Sequence, residues 1–160
     1  MRHVYYISYY ESPLGLIEIN TSDYAVLAIK FVSKEGEYPQ ENMLSIRIKN
    51  ELDSYFKGEL TSFSFYNYLI SGLEARVLEV ISHIPYGETM TYKEVASFLG
   101  NEKVTGPVKE VLRNNPCPIL LPCHRVIENE EEIGEYVTSE ENKRYLLEFE
   151  QKNKVTIVNN

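Results

Sequence analysis

Two cysteines are all that this chain of 160 residues holds, and only five residues separate Cys117 from Cys123. That spacing makes a poor disulfide framework, and in a reducing compartment both are expected as thiols. Long apolar runs are missing as well. No stretch approaches the roughly 20 residues of a membrane span, and the start MRHVYYISYY lacks the basic-then-apolar order of a secretory leader. The expected location is the cytoplasm, with no membrane partner. Metal-ligating residues are sparse: Cys117, Cys123, His3, His83 and His124 fall at no recognised zinc spacing, so no metal is expected. Repeats and low-complexity tracts are absent. Positive charge is short too, with 16 Lys and Arg against 24 Asp and Glu for a net −8, which argues against a strongly cationic nucleic-acid binder.

What is present reads as a globular protein, 43% apolar and 25% charged, long enough for one domain or two small lobes. Residues 4–32 are rich in Tyr, Ile and Val with Pro-Leu-Gly and Ser-Asp breaks, which predicts three short antiparallel strands. Leu44, Ile48, Leu52, Tyr55 and Phe56 then recur at helical spacing before Gly58. TSFSF, residues 61–65, reads as a further strand, and residues 66–72 as a linker. An α/β domain over 1–70 and a mainly helical one over 71–160 are therefore expected.

In the second half the pattern predicts helices over 73–84 and 91–99, the latter opened by a capping box of Thr91 and Glu94. A third starts near Pro107 and runs to about Asn114. Two short helices joined by a tight connection, the second carrying Lys109 and Arg113, suggest a helix-turn-helix. RVIENEEEIGEY, residues 125–136, reads as a hairpin with a solvated polar loop. The last helix is placed at 138–152, with a Thr138/Glu141 capping box and a Glu140–Arg144 pair. Charge is uneven here. Lys103, Lys109, Arg113 and Arg125 outnumber Glu102 and Glu110 over 101–126, whereas nine Glu face Lys143 and Arg144 over 128–150. A locally positive segment can still meet phosphates.

The chemistry concentrates in NPCPILLPCHRVI, residues 115–127. A thiol becomes a nucleophile when a neighbouring His or cation lowers its pKa, and His124 and Arg125 follow Cys123 directly. Adjacency alone does not turn the imidazole onto the sulfur, so the residues leave Cys123 as either a reactive thiol or a packed small hydrophobe. Pro116, Pro118 and Pro122 stiffen the segment. Glu150 shares a helical stripe with Leu146 and Leu147, which turns a carboxylate inward; a buried carboxylate needs a partner, and His124 is a candidate.

PCHRV preceded by NP and PILL, with IPYGETMTY upstream and KRYLLEFE downstream, resembles the methylated-DNA–protein cysteine methyltransferases, the O6-alkylguanine repair proteins. YYESPLG and ELDSYFKGEL extend the resemblance to most of the chain. It implies an amino-terminal ribonuclease-H-like α/β domain and a carboxy-terminal winged-helix-like alkyltransferase domain, acting as a monomer without a cofactor. The implied partner is DNA containing alkylated guanine, entered from the minor groove with the base flipped out, with O4-alkylthymine as a further substrate. Cys123 would take the alkyl group irreversibly. His124 would accept its proton through a water, Glu150 would orient His124, and Tyr92 would protonate or hydrogen-bond the leaving guanine and help turn its phosphate. Asn115 would brace the reactive loop. Val126 by its carbonyl, Tyr136, Val137 by its amide, and Arg125 would hold the substrate; Lys103, Lys109, Arg113 and the helix position Gly106 would meet the DNA.

The chain also departs from that pattern. The family's base-displacing arginine falls at Gly106, the small residues of its DNA-reading helix are Lys109 and Glu110, and glycines after the pocket tyrosine are Thr138 and Ser139. Two other readings stay open: a thiol transferase or sensor on the same fold acting on single-stranded or non-DNA substrates, and a non-catalytic lesion binder like the alkyltransferase-like proteins.

Overall fold

A computed structural model describes residues 4–159, with side chains through residue 154; His3 lies outside them. The chain divides into two compact units that meet between Leu69 and Ile70.

The first unit is a four-stranded sheet in the order β1 (Tyr6–Ser12), β2 (Gly15–Thr21), β3 (Ala25–Val32) and β4 (Asn67–Tyr68). The first three pair antiparallel through tight turns, and β4 joins β3 in parallel. Alternation sends Ile17 and Ile19 to the buried face, which is covered by helix α1 (Met43–Phe56) through Ile48, Leu52 and Tyr55. Asn42 and Ser45 form the capping box of α1.

TSFSF is not a strand. Its alternation has another cause: Phe63 packs 5.5 Å from the Tyr55 ring, Ser64 bonds Glu51 of α1 through both backbone and hydroxyl, and Phe65 is exposed. Side chains of α1 tie the segment down, and the short β4 falls in what reads as linker.

The second unit holds α2 (Gly72–Ser82), β5 (Met90–Thr91), α3 (Tyr92–Phe98), a single 3₁₀ turn (Glu102–Val104), α4 (Thr105–Arg113), β6 (Val126–Ile127) and α5 (Glu140–Asn159). Helices α2, α3 and α4 pack together through Val77, Leu78, Val95, Ala96, Val108 and Leu112. The Thr91/Glu94 capping box is present. No hairpin forms over 125–136: β6 pairs in parallel with β5, and Asn129 closes the acidic stretch into a turn by accepting from the Glu131 and Glu132 amides. Helix α5 starts later than expected because Ser139 caps it, accepting from Asn142 N at 3.1 Å, while Thr138 is used by the Asn142 side chain. Among the described residues no helix is long and apolar enough to cross a membrane.

Candidate active site

The segment between α4 and β6 is a closed loop. Asn115, buried, donates from Nδ2 to Leu121 O (2.8 Å) and accepts on Oδ1 from Cys117 N (3.0 Å). Leu121 N donates back to Cys117 O at 2.9 Å. Between them Ile119 adopts φ +76°, a left-handed conformation that strains a β-branched residue by about 1–3 kcal/mol. These three bonds and the flanking prolines hold that strain and deliver Cys123 to the first position of a 3₁₀ turn (Cys123–Arg125). That turn leads straight into β6. Because β6 pairs with β5, and β5 ends at the cap of α3, Tyr92 is brought beside a thiol 31 positions further along the chain.

Cys123 and Tyr92 line one cleft of about 230 Å³, with Lys109, Leu112, Arg113, Glu128, Glu132, Gly134, Glu135 and Tyr136 around them. Cys123 is only 5% exposed. Burial pushes its thiol up to about 11, against the pull of Asn115 and the Lys143 charge. Burial, with the nearby anionic groups, also pushes the Tyr92 phenol up to about 12. At rest both carry their protons.

Adjoining Cys123, His124 and Glu150 are fully buried, with Nε2 to Oε2 at 2.7 Å. Arg125 grips the same carboxylate from Nε (2.8 Å) and Nη2 (3.0 Å), and the Gly87 amide adds a fourth bond at 3.1 Å. Burial alone would raise the Glu150 carboxyl, but His124 and Arg125 overcome it and hold it well below the usual range. Burial likewise pushes His124 below its ordinary value, and Arg125 adds to this while Glu150 opposes it. Arg125 already balances the carboxylate, so a neutral imidazole suffices. Assigned from this network, Nε2 carries the proton, and Nδ1, buried and without a partner among the described residues, keeps its lone pair. An imidazole held in this way has its donor side fixed on Glu150 and its Nδ1 side able to accept a proton. Gly87 (φ +77°) is needed here, since a Cβ would stand 2.6 Å from the Lys154 side chain of α5.

The ribonuclease-like domain model of the 6-O-methylguanine DNA methyltransferases matches residues 4–67, and their DNA-binding domain model matches residues 72–152. The chain belongs to this methyltransferase family. A probable methylated-DNA–protein-cysteine methyltransferase of Acanthamoeba polyphaga mimivirus is 33% identical over 89% of this chain and 95% of its own. The Methanosarcina acetivorans protein of that name is 34% identical over 91% and 97%. Crystal structures of the Mycobacterium tuberculosis O6-methylguanine methyltransferase (TM-score 0.83, 26% identity, 94% of each chain) and of OGT from that organism in complex with DNA (0.79, 27%, 93% of each) superpose on it.

Not every residue expected in a methyltransferase site faces the cleft. Arg125, expected at the substrate, is turned to other partners: Nε and Nη2 hold Glu150, Nη1 donates to Ile84 O (2.8 Å), and the guanidinium lies over the Tyr86 ring. It positions Glu150. Tyr136 lines the cleft and meets His124 edge-on at 6.5 Å, whereas Val126 and Val137 are not among its lining residues. Val126 is buried in β6. Cys117 is completely buried. Lys109 bonds Glu128 at 2.7 Å and lies 5.2 Å from the Tyr92 ring centre; Arg113 bonds Glu110 and Glu135. Lys103 and Gly106 are exposed, and space at the Gly106 Cα is open.

Two functional candidates escape the sequence reading. Gly134 (φ +80°) would put a Cβ 2.7 Å from the Tyr92 hydroxyl, so only glycine leaves that hydroxyl in place. Lys143 is fully buried, with Nζ 3.2 Å from Tyr92 Oη and 3.0 Å from Glu135 O. Its signal was available: Lys143, Leu146 and Glu150 share the i, i+3, i+7 stripe of α5, so the stripe carries two buried charges. No three His, Cys, Asp or Glu side chains among the described residues are grouped to hold a metal.

Proposed function

We propose that this protein repairs alkylated DNA in a single turnover, moving the alkyl group from O6-alkylguanine to Cys123. The observation that carries the reading is that Cys123 and Tyr92 line one cleft while the His124–Glu150 pair stands buried in the adjoining turn. In the reaction His124 Nδ1 takes the thiol proton through one water, and Glu150 stabilises the imidazolium that forms. Sγ attacks the alkyl carbon in line, the carbon–O6 bond breaks, and its electron pair leaves on the purine. Tyr92 supplies a proton or hydrogen bond to that leaving group. Asn115 keeps the loop closed under Cys123, and Tyr136 walls the pocket. DNA meets α4 at its minor groove, with Arg113, Lys109 and Lys103 at the phosphates and the damaged base flipped out, since O6 is out of reach in the stack. Val126 and Val137 contact the base through backbone groups.

Incubation with DNA carrying O6-methylguanine, followed by intact mass, is the test. The protein should gain one methylene on the peptide containing Cys123, and Cys123→Ala should gain none. An adduct on Cys117, or none at all, would reject the assignment.

One arrangement favours a narrower substrate range. Gly106 offers no side chain to fill the gap left by a flipped base, and both cations of α4 near the cleft are already paired with carboxylates. Single-stranded or distorted substrates, which need less opening, suit this face better than intact duplex.

A further inference from the structure

We infer that Lys143 is the positioning residue that makes Tyr92 a proton donor, holding its phenol oxygen so that the proton faces the substrate and stabilising the phenolate left behind. The inference rests on the proposed role of Tyr92. An ammonium group fully buried in a protein is costly unless it is paired, yet no carboxylate lies within salt-bridge reach of Lys143 among the described ion pairs. Its hydrogen bonds go to a phenol oxygen and a backbone carbonyl, both neutral, and its Nζ lies 5.4 Å from the Tyr92 ring centre. A partner that becomes negative only during the reaction accounts for this arrangement.

The geometry fixes the direction of the proton. Lys143 can only donate, so the Tyr92 oxygen accepts from it and must aim its own hydrogen elsewhere. The other described acceptor, Glu135 O, is 3.5 Å away, too far for a firm bond. The phenol proton is therefore weakly held at rest and free for a base in the cleft. When the carbon–O6 bond breaks, the purine takes that proton and the phenolate remains 3.2 Å from the ammonium. No charge is created without a neighbour of opposite sign: the imidazolium has Glu150, the phenolate has Lys143. Both neighbours sit on the buried stripe of α5, two turns apart.

Lys143 also faces Cys123 and the carboxylates of Glu128, Glu135 and Glu140, which favour its charged form; burial opposes them and brings it down to about 8. Lys109 stands near the same ring.

The test separates leaving-group assistance from thiol activation. With free O6-benzylguanine as probe, Lys143→Met should slow transfer by roughly 10²-fold, the scale of lost general-acid help. Alkylation of Cys123 by iodoacetamide should fall far less, because iodide leaves without a proton. Tyr92→Phe should be as slow as the double variant. If both reactions of Lys143→Met fall together, Lys143 serves the thiol and the inference is wrong. If neither falls while Tyr92→Phe is slow, Lys143 is packing alone; if Tyr92→Phe is itself fast, the reading of Tyr92 fails first. Should Lys143→Met not fold, the wild-type protein decides. The ratio of the two rates should decline above about pH 8, where Lys143 loses its proton, since thiol ionisation enters both rates and divides out. A flat ratio overturns the inference.

Discussion

The second unit contains two clusters of paired charges, and they differ in one respect, solvent. In one, His124, Arg125 and Glu150 are at most 7% exposed and Glu150 receives four hydrogen bonds. In the other, Lys109, Arg113, Glu110, Glu128 and Glu135 sit at the rim of the cleft with side chains 37% to 75% exposed. The pair distances overlap, from 2.5 to 3.0 Å at the rim and from 2.7 Å inside. Only the buried set is fixed, because breaking it strands a charge away from water. The rim pairs exchange readily with water, salt or a phosphate. A reaction centre needs the first kind of pairing and a surface that must receive a polyanion tolerates only the second.

The sharpest way to break that contrast is Glu150→Ala. It leaves Arg125 buried without its partner, which costs on the order of 3–5 kcal/mol, and it removes the support of His124, so transfer should fall by at least about 10²-fold. Glu150→Gln, which preserves shape, should keep more stability while losing the rate. Arg113→Ala at the rim should leave the melting temperature where it is. Thermal melts and single-turnover rates on the same preparations check all three. Equal stability losses inside and at the rim would end the distinction.

Acid should probe the same difference without mutation. In the folded protein His124 lies below its ordinary 6.5 and Glu150 well below its ordinary 4.5, so the unfolded chain binds more protons as pH falls. Stability should drop with pH, first through about 6.5 and again below about 4.5, because the unfolded state gains those protons first. A melting temperature flat from pH 7 to pH 5 would mean that His124 is charged in the fold.

How much of this was legible beforehand depended on the range of each interaction. The strands β1 to β3, α1, and the capping box of α3 are local patterns and are legible in the sequence. β4 and β6 are not, since each is two residues long and pairs in parallel with a distant strand; the predicted hairpin over 125–136 assumed a neighbour where the partner was β5. The inward turn of Glu150 followed from helical spacing. Its sharing by Arg125 did not, because an arginine beside a reactive cysteine reads equally well as a substrate contact. A lysine is nearly always at the surface, which hides Lys143 in the sequence, although its place on the stripe of Leu146 and Glu150 points inward.

At the rim the expected effects are smaller and of opposite sign. Glu128 and Glu135 hold Lys109 and Arg113 as phosphates would. The triple variant Glu110→Gln, Glu128→Gln, Glu135→Gln removes the described carboxylate partners of both cations, so affinity for duplex should rise at low salt. Each cation newly engaged with a phosphate steepens the logarithmic salt dependence by about 0.9. Titrations at several salt concentrations read this directly. An unchanged slope would mean that the two cations do not meet the backbone.

The smallest change expected, and the most specific, is at Gly106. Flipping a base out of a duplex costs a few kcal/mol in lost stacking and pairing, less in a single strand and nothing for a free base. An arginine inserted from the helix offsets part of that, its planar head stacking in the vacated space. Gly106 is the second residue of α4, exposed, with open space where a side chain would grow, so Gly106→Arg should fold normally. Lys109 is a poor substitute, since its ammonium is bonded to Glu128 and lies against the Tyr92 ring in the cleft. Gly106→Arg should therefore raise the single-turnover rate on duplex several-fold, leave single-stranded DNA less affected, and leave free O6-benzylguanine unchanged. If all three rates stay flat and Lys109→Ala removes duplex activity, the rim lysine opens the duplex and must leave Glu128 to do so. That outcome would join the two rim effects into one.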